Sequence, residues 1–228
     1  MPLAIFDLDN TLLAGDSDYL WGQFLAELGV VDGPSYEREN ARFYADYREG
    51  RLDILAFLRF SLRPLAQHRM QDLHSWRARF LQEKIEPLIS AAAEALVERH
   101  RAAGDTLMII TATNAFVTAP IAERLGISQL IATEPESIDG RFTGNVTGTP
   151  SFREGKVSRL QDWLTLHDTT LAGASFYSDS HNDLPLLELV DRPVAVDPDP
   201  ILTDQAKRHG WPIISLRGEQ APAEHRHL

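Results

Sequence analysis

The chain has 228 residues, 43% hydrophobic and 24% charged, which suits a globular protein with one large domain or a domain carrying an insertion. Its 33 Asp and Glu against 22 Lys and Arg leave a net charge of −11. That argues against a nucleic-acid partner and an anionic membrane surface, which both call for a basic face. There is no cysteine, so disulfides and thiolate metal sites are excluded. No apolar run nears the ~20 residues that span a bilayer, and no charged region followed by an apolar one opens the chain; a cytoplasmic location is the expectation.

Leu3-Ala4-Ile5-Phe6 is apolar on both faces and reads as a buried strand of a parallel sheet. It breaks abruptly into Asp7-Leu8-Asp9-Asn10-Thr11. Two carboxylates two residues apart at a strand's carboxyl end face the crevice where open α/β sheets bind ligands. They repel unless a cation or a proton separates them. A turn with a helix cap is the other reading of this pentapeptide, since Asp, Asn and Thr favour such places. Asp16-Ser17-Asp18 is a helix-start signal, and Leu20, Trp21, Phe24, Leu25 and Leu28 recur at helical spacing up to Gly29. From Ser35 to Lys84 only helical patterns follow, over 36–47, 52–62 and 67–80, punctuated by Gly50, Pro64 and Pro87. This block reads as a helical bundle inserted after the first strand.

From Pro87 the pattern alternates. A helix is expected over 89–103, a strand over 106–110, a helix over 116–125 and a strand over 129–133. Ile138 to Val146 reads as a hairpin turned by Asp139-Gly140. Then come a helix over 158–167, a strand over 174–177, a helix over 182–189, and short strands at 194–196 and 212–215 flanking a helix over 203–209. Alternation of this kind predicts an α/β fold with a Rossmann-like, doubly wound parallel sheet. The expected division is 1–14 plus 85–228 as the α/β core and 15–84 as a helical cap. A polar tail from Gly218, holding His225 and His227, is expected to fray.

Three further features fall at strand carboxyl ends. Thr111 closes the second strand, with Ala112-Thr113-Asn114 opening the next helix; a hydroxyl beside free helical N–H groups suits a phosphate, or is an ordinary N-cap. Lys156 precedes a helix in Arg153-Glu154-Gly155-Lys156, where a lone Lys reads as a surface charge unless its company says otherwise. Ser178-Asp179-Ser180-His181-Asn182-Asp183 follows the 174–177 strand, and Asp179 and Asp183 are hard oxygen donors suited to Mg²⁺. Ser180, His181 and Asp183 do not make a hydrolase triad, because contiguous residues cannot reach that geometry and no nucleophile elbow is present. The Asp197-Pro198-Asp199-Pro200 turn sits near the same edge and reads as a loop.

The order Asp7-x-Asp9-x-Thr11, Thr111, Lys156, Asp179-x-x-x-Asp183 resembles the haloacid dehalogenase superfamily, and more narrowly its phosphoserine-phosphatase-like branch, from Leu3 to about Ser215. The helical insertion falls where that branch places its cap. The resemblance implies a Mg²⁺-dependent phosphomonoesterase acting on a small phosphorylated metabolite. Asp7 is the implied nucleophile, forming an aspartyl-phosphate, and Asp9 the general acid and base. Mg²⁺ falls to Asp7, the Asp9 carbonyl and Asp179, with Asp183 orienting water or Lys156. Thr111, Ala112, Lys156 and Asn182 fall to the phosphate.

The branch's acidic contact to the substrate amine falls on Asp16, which equally reads as an N-cap. Its carboxylate-clamping arginine falls on Ser61, which cannot replace a guanidinium. Its pocket Phe falls on Ile54, and its Gly-Gly on Ala112-Thr113, which puts Thr113 beside the substrate. An amino-alcohol phosphate without a carboxylate, such as histidinol phosphate, fits these departures better than phosphoserine. A phosphotransferase and a catalytically idle binding module are the alternatives.

Overall fold

The computed structural model describes residues 1–217; the tail from Gly218, with His225 and His227, lies outside the described residues. β1 (Leu3–Phe6) leads into an irregular turn over Leu8–Leu12, closed by the Leu13 N–H on the Leu8 carbonyl at 3.0 Å, with Asn10 left-handed at φ 54°. Five helices follow: α1 (Ser17–Glu27), α2 (Gly33–Arg48), α3 (Ile54–Ser61), α4 (Arg63–Gln67) and α5 (Met70–Phe80). Asp16 caps α1 by accepting the Tyr19 N–H at 2.8 Å, and Asp53 caps α3 by accepting that of Ala56 at 3.0 Å. The chain then forms α6 (Ala91–Ala102), β2 (Thr106–Asn114), α7 (Ala115–Arg124), β3 (Gln129–Ile138), β4 (Arg141–Thr147) and α8 (Glu154–Leu166). It ends in β5 (Ser175–Ser178), α9 (Leu184–Leu187), β6 (Arg192–Val196), α10 (Pro200–His209) and β7 (Ile213–Ile214).

The strands form one sheet in the order β4-β3-β2-β1-β5-β6-β7, parallel except for β4, which runs antiparallel to β3. The Rossmann-like α/β fold read from the alternation is therefore present. β1 is central, pairing with β2 on one side and β5 on the other, and all four of its residues are buried. Successive side chains of β1 serve opposite layers. Ala4 and Phe6 join a core that includes Trp21, Phe24, Phe80 and Phe116, whereas Leu3 and Ile5 join one with Phe176, Leu186 and Leu202. No helix among the described residues is long and apolar enough to cross a membrane.

Several elements run beyond their expected bounds, among them β2 and β3. β2 continues to Asn114 through a bulge between Ile110 and Asn114, and β3 continues to Ile138 because Glu134 and Pro135 pair with β4. The hairpin turn is as read, with Asp139 at φ 50° and Gly140 at φ 73°, both left-handed as a two-residue hairpin loop requires. α3 and α4 lie against β4, so the hairpin supports the inserted helices, a contact no local pattern announces.

Candidate active site

The carboxyl ends of β1, β2 and β5 meet with the start of α8. Asp7 continues the ladder by donating its N–H to the Tyr177 carbonyl at 2.9 Å, which fixes its side chain at the sheet's edge. Its Oδ1 accepts the Lys156 ammonium at 2.8 Å, and Asp183 accepts the same ammonium at 2.8 Å. All three groups are nearly sealed from solvent. Burial lifts the Asp7 carboxyl to about 7 against the pull of Lys156, with Asp183 pushing the same way. Burial also works against the Lys156 charge, but Asp183 and Asp7 outweigh it and hold the ammonium above its ordinary range. Lys156 is thus a paired interior cation and not a surface charge. Its neighbour Gly155 is obligatory, since a Cβ there would stand 2.1 Å from the Pro150 carbonyl oxygen.

Asp9 points differently. Its Oδ1 accepts the Ser17 N–H at 2.6 Å, while its Oδ2 accepts the hydroxyls of Thr113 at 2.8 Å and Thr111 at 3.4 Å. Loss of water raises its carboxyl, opposed by the Ser17 and Thr113 hydrogen bonds. The bulge in β2 turns both threonines inward, where the Thr111 hydroxyl also accepts the Thr113 N–H at 3.2 Å. Asp179 accepts the Thr11 hydroxyl at 3.1 Å and returns its own N–H to that oxygen at 3.0 Å. Loss of water, then the charges of Asp7 and Asp183, keep its carboxyl well above the usual range.

Among the described residues no three His, Cys, Asp or Glu side chains gather into a ready-made metal cage. Asp7 and Asp179 do repel one another across a space with hard oxygen donors, which is the chemistry a divalent cation relieves. Because the Asp9 carboxylate is engaged by Ser17 and Thr113, its share in holding an ion would be its backbone carbonyl. Two carboxylates and a carbonyl, the rest left to water, suit Mg²⁺, which gives up its hydration reluctantly.

Beside these acids a cavity of about 50 Å³ runs from Ala112 and Thr113 on the core to Phe43, Tyr44, Tyr47, Leu52, Ile54 and Phe57 on the inserted helices. Asp16, Asp18, Tyr19 and Asn40 complete its wall, which contains no Lys, Arg or His. Asp16 is therefore both N-cap and cavity wall. Ile54 lines the cavity, whereas Ser61 is buried in the bundle and does not line it.

Asn182, expected at the phosphate, is committed to other partners. Its amide donates to the Tyr47 carbonyl at 3.1 Å, and its oxygen accepts Arg153 at 2.9 and 3.0 Å. Arg153 reaches on to the Gly50 carbonyl at 2.5 Å. Together they tie the end of α2 to the core. Arg153 holds φ 50°, ψ −121°, a conformation costly for any residue with a Cβ.

Asp199 also has a structural task, capping α10 and accepting both the N–H and the Nδ1 of His181 at 2.7 Å. Asp18, Tyr47, Arg153 and Arg217, the last donating to the Thr11 carbonyl at 3.3 Å, were not singled out by sequence reasoning. Of these, Asp18 stood inside the helix start and Arg153 inside the Arg153-Glu154-Gly155-Lys156 stretch, while Tyr47 and Arg217 stood in no motif that the sequence marks.

The parallel sheet, the strand-end carboxylates and the buried lysine define a carboxylate-based hydrolase site on a Rossmann-like α/β core. The chain belongs to the haloacid dehalogenase-like hydrolase family, whose family model matches residues 4–188. It is 48% identical to a histidinol-phosphatase of Neisseria meningitidis serogroup C, over 94% of this chain and 99% of that protein. It is 32% identical to the phosphoserine phosphatase SerB1 of Mycobacterium tuberculosis, over 94% of this chain and 70% of that one. A Bordetella pertussis Tohama I protein of unknown function, known from a crystal structure, superposes with a TM-score of 0.89 at 46% identity, over 94% of this chain and 98% of its own.

Proposed function

We propose that the protein is a Mg²⁺-dependent phosphomonoesterase whose substrate is a small amino-alcohol phosphate without a carboxylate, histidinol phosphate above all. The observation that carries this is the cavity wall, which joins two acids and several aromatic rings to Ala112 and Thr113 of the core and offers no basic group for a carboxylate. The 48% identity to a histidinol-phosphatase supports the same substrate.

Asp7 attacks phosphorus in line, forming the Asp7 Oδ–P bond as the ester P–O bond breaks. Asp9 passes a proton to the departing alcohol oxygen, then takes one from the water that cleaves the aspartyl-phosphate. That water's oxygen leaves in inorganic phosphate, and Asp7 is restored. The hydrogen bonds from Ser17 and Thr113 hold Asp9 in place through both transfers. The Thr111 hydroxyl, the Ala112 N–H and the Lys156 ammonium receive phosphoryl oxygens, and Asp183 keeps Lys156 aimed at Asp7. Mg²⁺, held by Asp7, Asp179 and the Asp9 carbonyl, would screen the repulsion between a carboxylate and a phosphate dianion. Asp16 receives the substrate amine.

The test is hydrolysis of histidinol phosphate, phosphoserine, sugar phosphates and p-nitrophenyl phosphate with and without Mg²⁺, beside Asp7→Asn. Histidinol phosphate should exceed phosphoserine in kcat/KM by about 100-fold, since a carboxylate brought against Asp16 and Asp18 is repelled. Turnover that survives Asp7→Asn would overturn the mechanism; phosphoserine ranking first would overturn the substrate.

A further inference from the structure

Asp18 has no task in the chemistry described so far. It is the second residue of α1, and only 8% of its surface is exposed. Its Oδ2 has no hydrogen-bond partner among the described residues. A carboxylate taken from water and left unpaired is costly, and native structures seldom keep one without a reason. The surroundings add to the cost. Burial first, then the charge of Asp9, drive the Asp18 carboxyl up to about 7.

Asp18 also lines the cavity, as do the rings of Phe43, Tyr44 and Phe57. An anion that shares a cavity with aromatic rings suits a flat cation or a ring N–H: the rings take its faces and the acid its edge. The wall's charges sharpen this. Asp16 and Asp18 both line the cavity, and no Lys, Arg or His does. A ligand with a single cationic amine would satisfy one acid and leave the other unpaired. Two separate N–H-bearing groups are needed, a short chain apart.

Resting on the substrate reading above, we propose that Asp18 sets specificity for the end of the substrate distal to phosphate, its carboxylate accepting the ring N–H of an imidazole-like heteroaromatic group while Asp16 takes the primary amine. Asn40 and Tyr44 border the same space.

The test compares wild type with Asp18→Asn, which preserves size and removes charge, on two substrates: histidinol phosphate, and phosphoethanolamine, which has the amine but no ring. The ratio of their kcat/KM values should fall about 10- to 100-fold in the variant, chiefly through KM for histidinol phosphate, as expected for losing a hydrogen bond to a charged group. An unchanged ratio, with both substrates losing alike, would show a merely structural role and overturn the proposal. A second measurement does not need the variant to fold well. Histidinol should inhibit wild-type hydrolysis of p-nitrophenyl phosphate about tenfold better than 2-amino-1-butanol, and equal inhibition would overturn ring recognition. If histidinol inhibits selectively yet histidinol phosphate is not turned over, the substrate reading fails while the Asp18 site stands.

Discussion

At the end of β1 one ammonium holds two buried carboxylates, and that makes Lys156 the residue whose loss costs most. Lys156→Met would leave Asp7 and Asp183 facing each other unpaired, and removing one partner from a buried ion cluster costs about 3–5 kcal/mol. Denaturant unfolding should show a loss of that size, and turnover should fall about 1,000-fold with the phosphoryl charge unsupported. An equally stable, active variant would mean that the cluster is not held together by this charge. Asp18 should behave in the opposite way. Its carboxyl is raised from 3.8 to about 7 on folding, so between those values the folded chain binds the extra proton and stability falls as pH rises. The penalty is absent below about pH 4 and complete above about pH 7. Asp18→Asn removes it, so the ligand-free variant should gain about 2–4 kcal/mol over wild type at pH 8 and nothing near pH 4. Thermal melts at the two pH values measure this. Together with the expected loss of substrate selectivity, a gain in stability marks a residue kept for binding at the expense of the fold.

Among the elements, α2 is the piece most open to movement. The cavity of about 50 Å³ between the inserted helices and the core is small beside the few hundred Å³ typical of small-molecule sites, so a phosphorylated metabolite calls for more room on the helical side. α1, α3, α4 and α5 place Trp21, Leu58, Leu65 and Phe80 in the same apolar cluster as β1. The buried apolar side chains of α2, Tyr36 and Phe43, instead form a small satellite with Phe60. We therefore propose that residues 15–84 form a cap whose moving part is α2 and the Glu49–Asp53 link, tied to the core by Arg153 and Asn182. Amide exchange should be faster in α2 than in α1 or α5, and should slow when an inhibitor is bound. Gly22→Ala probes the opposite edge: a Cβ there stands 2.7 Å from the Tyr36 ring and 2.9 Å from Asn40 Nδ2, so α2 must be pushed off α1. A loss of about 1–3 kcal/mol and a raised KM are expected, and unaltered exchange in α2 would refute the hinge. These contacts explain what the sequence does and does not reveal. Asp7, Thr111 and Asp179 are legible because each ends a short apolar run, and strand ends are where such folds bind ligands. Tyr47, Arg153 and the β4 support are not legible. Their partners lie far along the chain, and no 2.0 or 3.6 periodicity reports a contact of that kind.

The whole molecule carries a net charge of −11, yet its proposed substrate carries a phosphate. The field of such a protein opposes an incoming dianion and is indifferent to a ligand whose phosphate is balanced by its own ammonium and imidazole. Within the site, Lys156 is already matched by Asp7 and Asp183, and the cavity wall adds only acids. On the proposed substrate reading, electrostatic discrimination works at two ranges, repelling carboxylate-bearing phosphates from a distance and leaving them unpaired on contact. The long-range part is screened by salt and the contact part is not, because exposed charges beyond a Debye length lose their hold. With Mg²⁺ saturating, raising ionic strength should increase kcat/KM for p-nitrophenyl phosphate and phosphoserine about two- to fourfold while leaving histidinol phosphate nearly flat. Stopped assays across a chloride series would read this directly. A parallel rise for all three would mean that the net charge acts on the phosphate alone and that the substrate's cationic end is not felt before contact. A fall would mean that an attractive local field around Lys156 and the metal ligands dominates the approach.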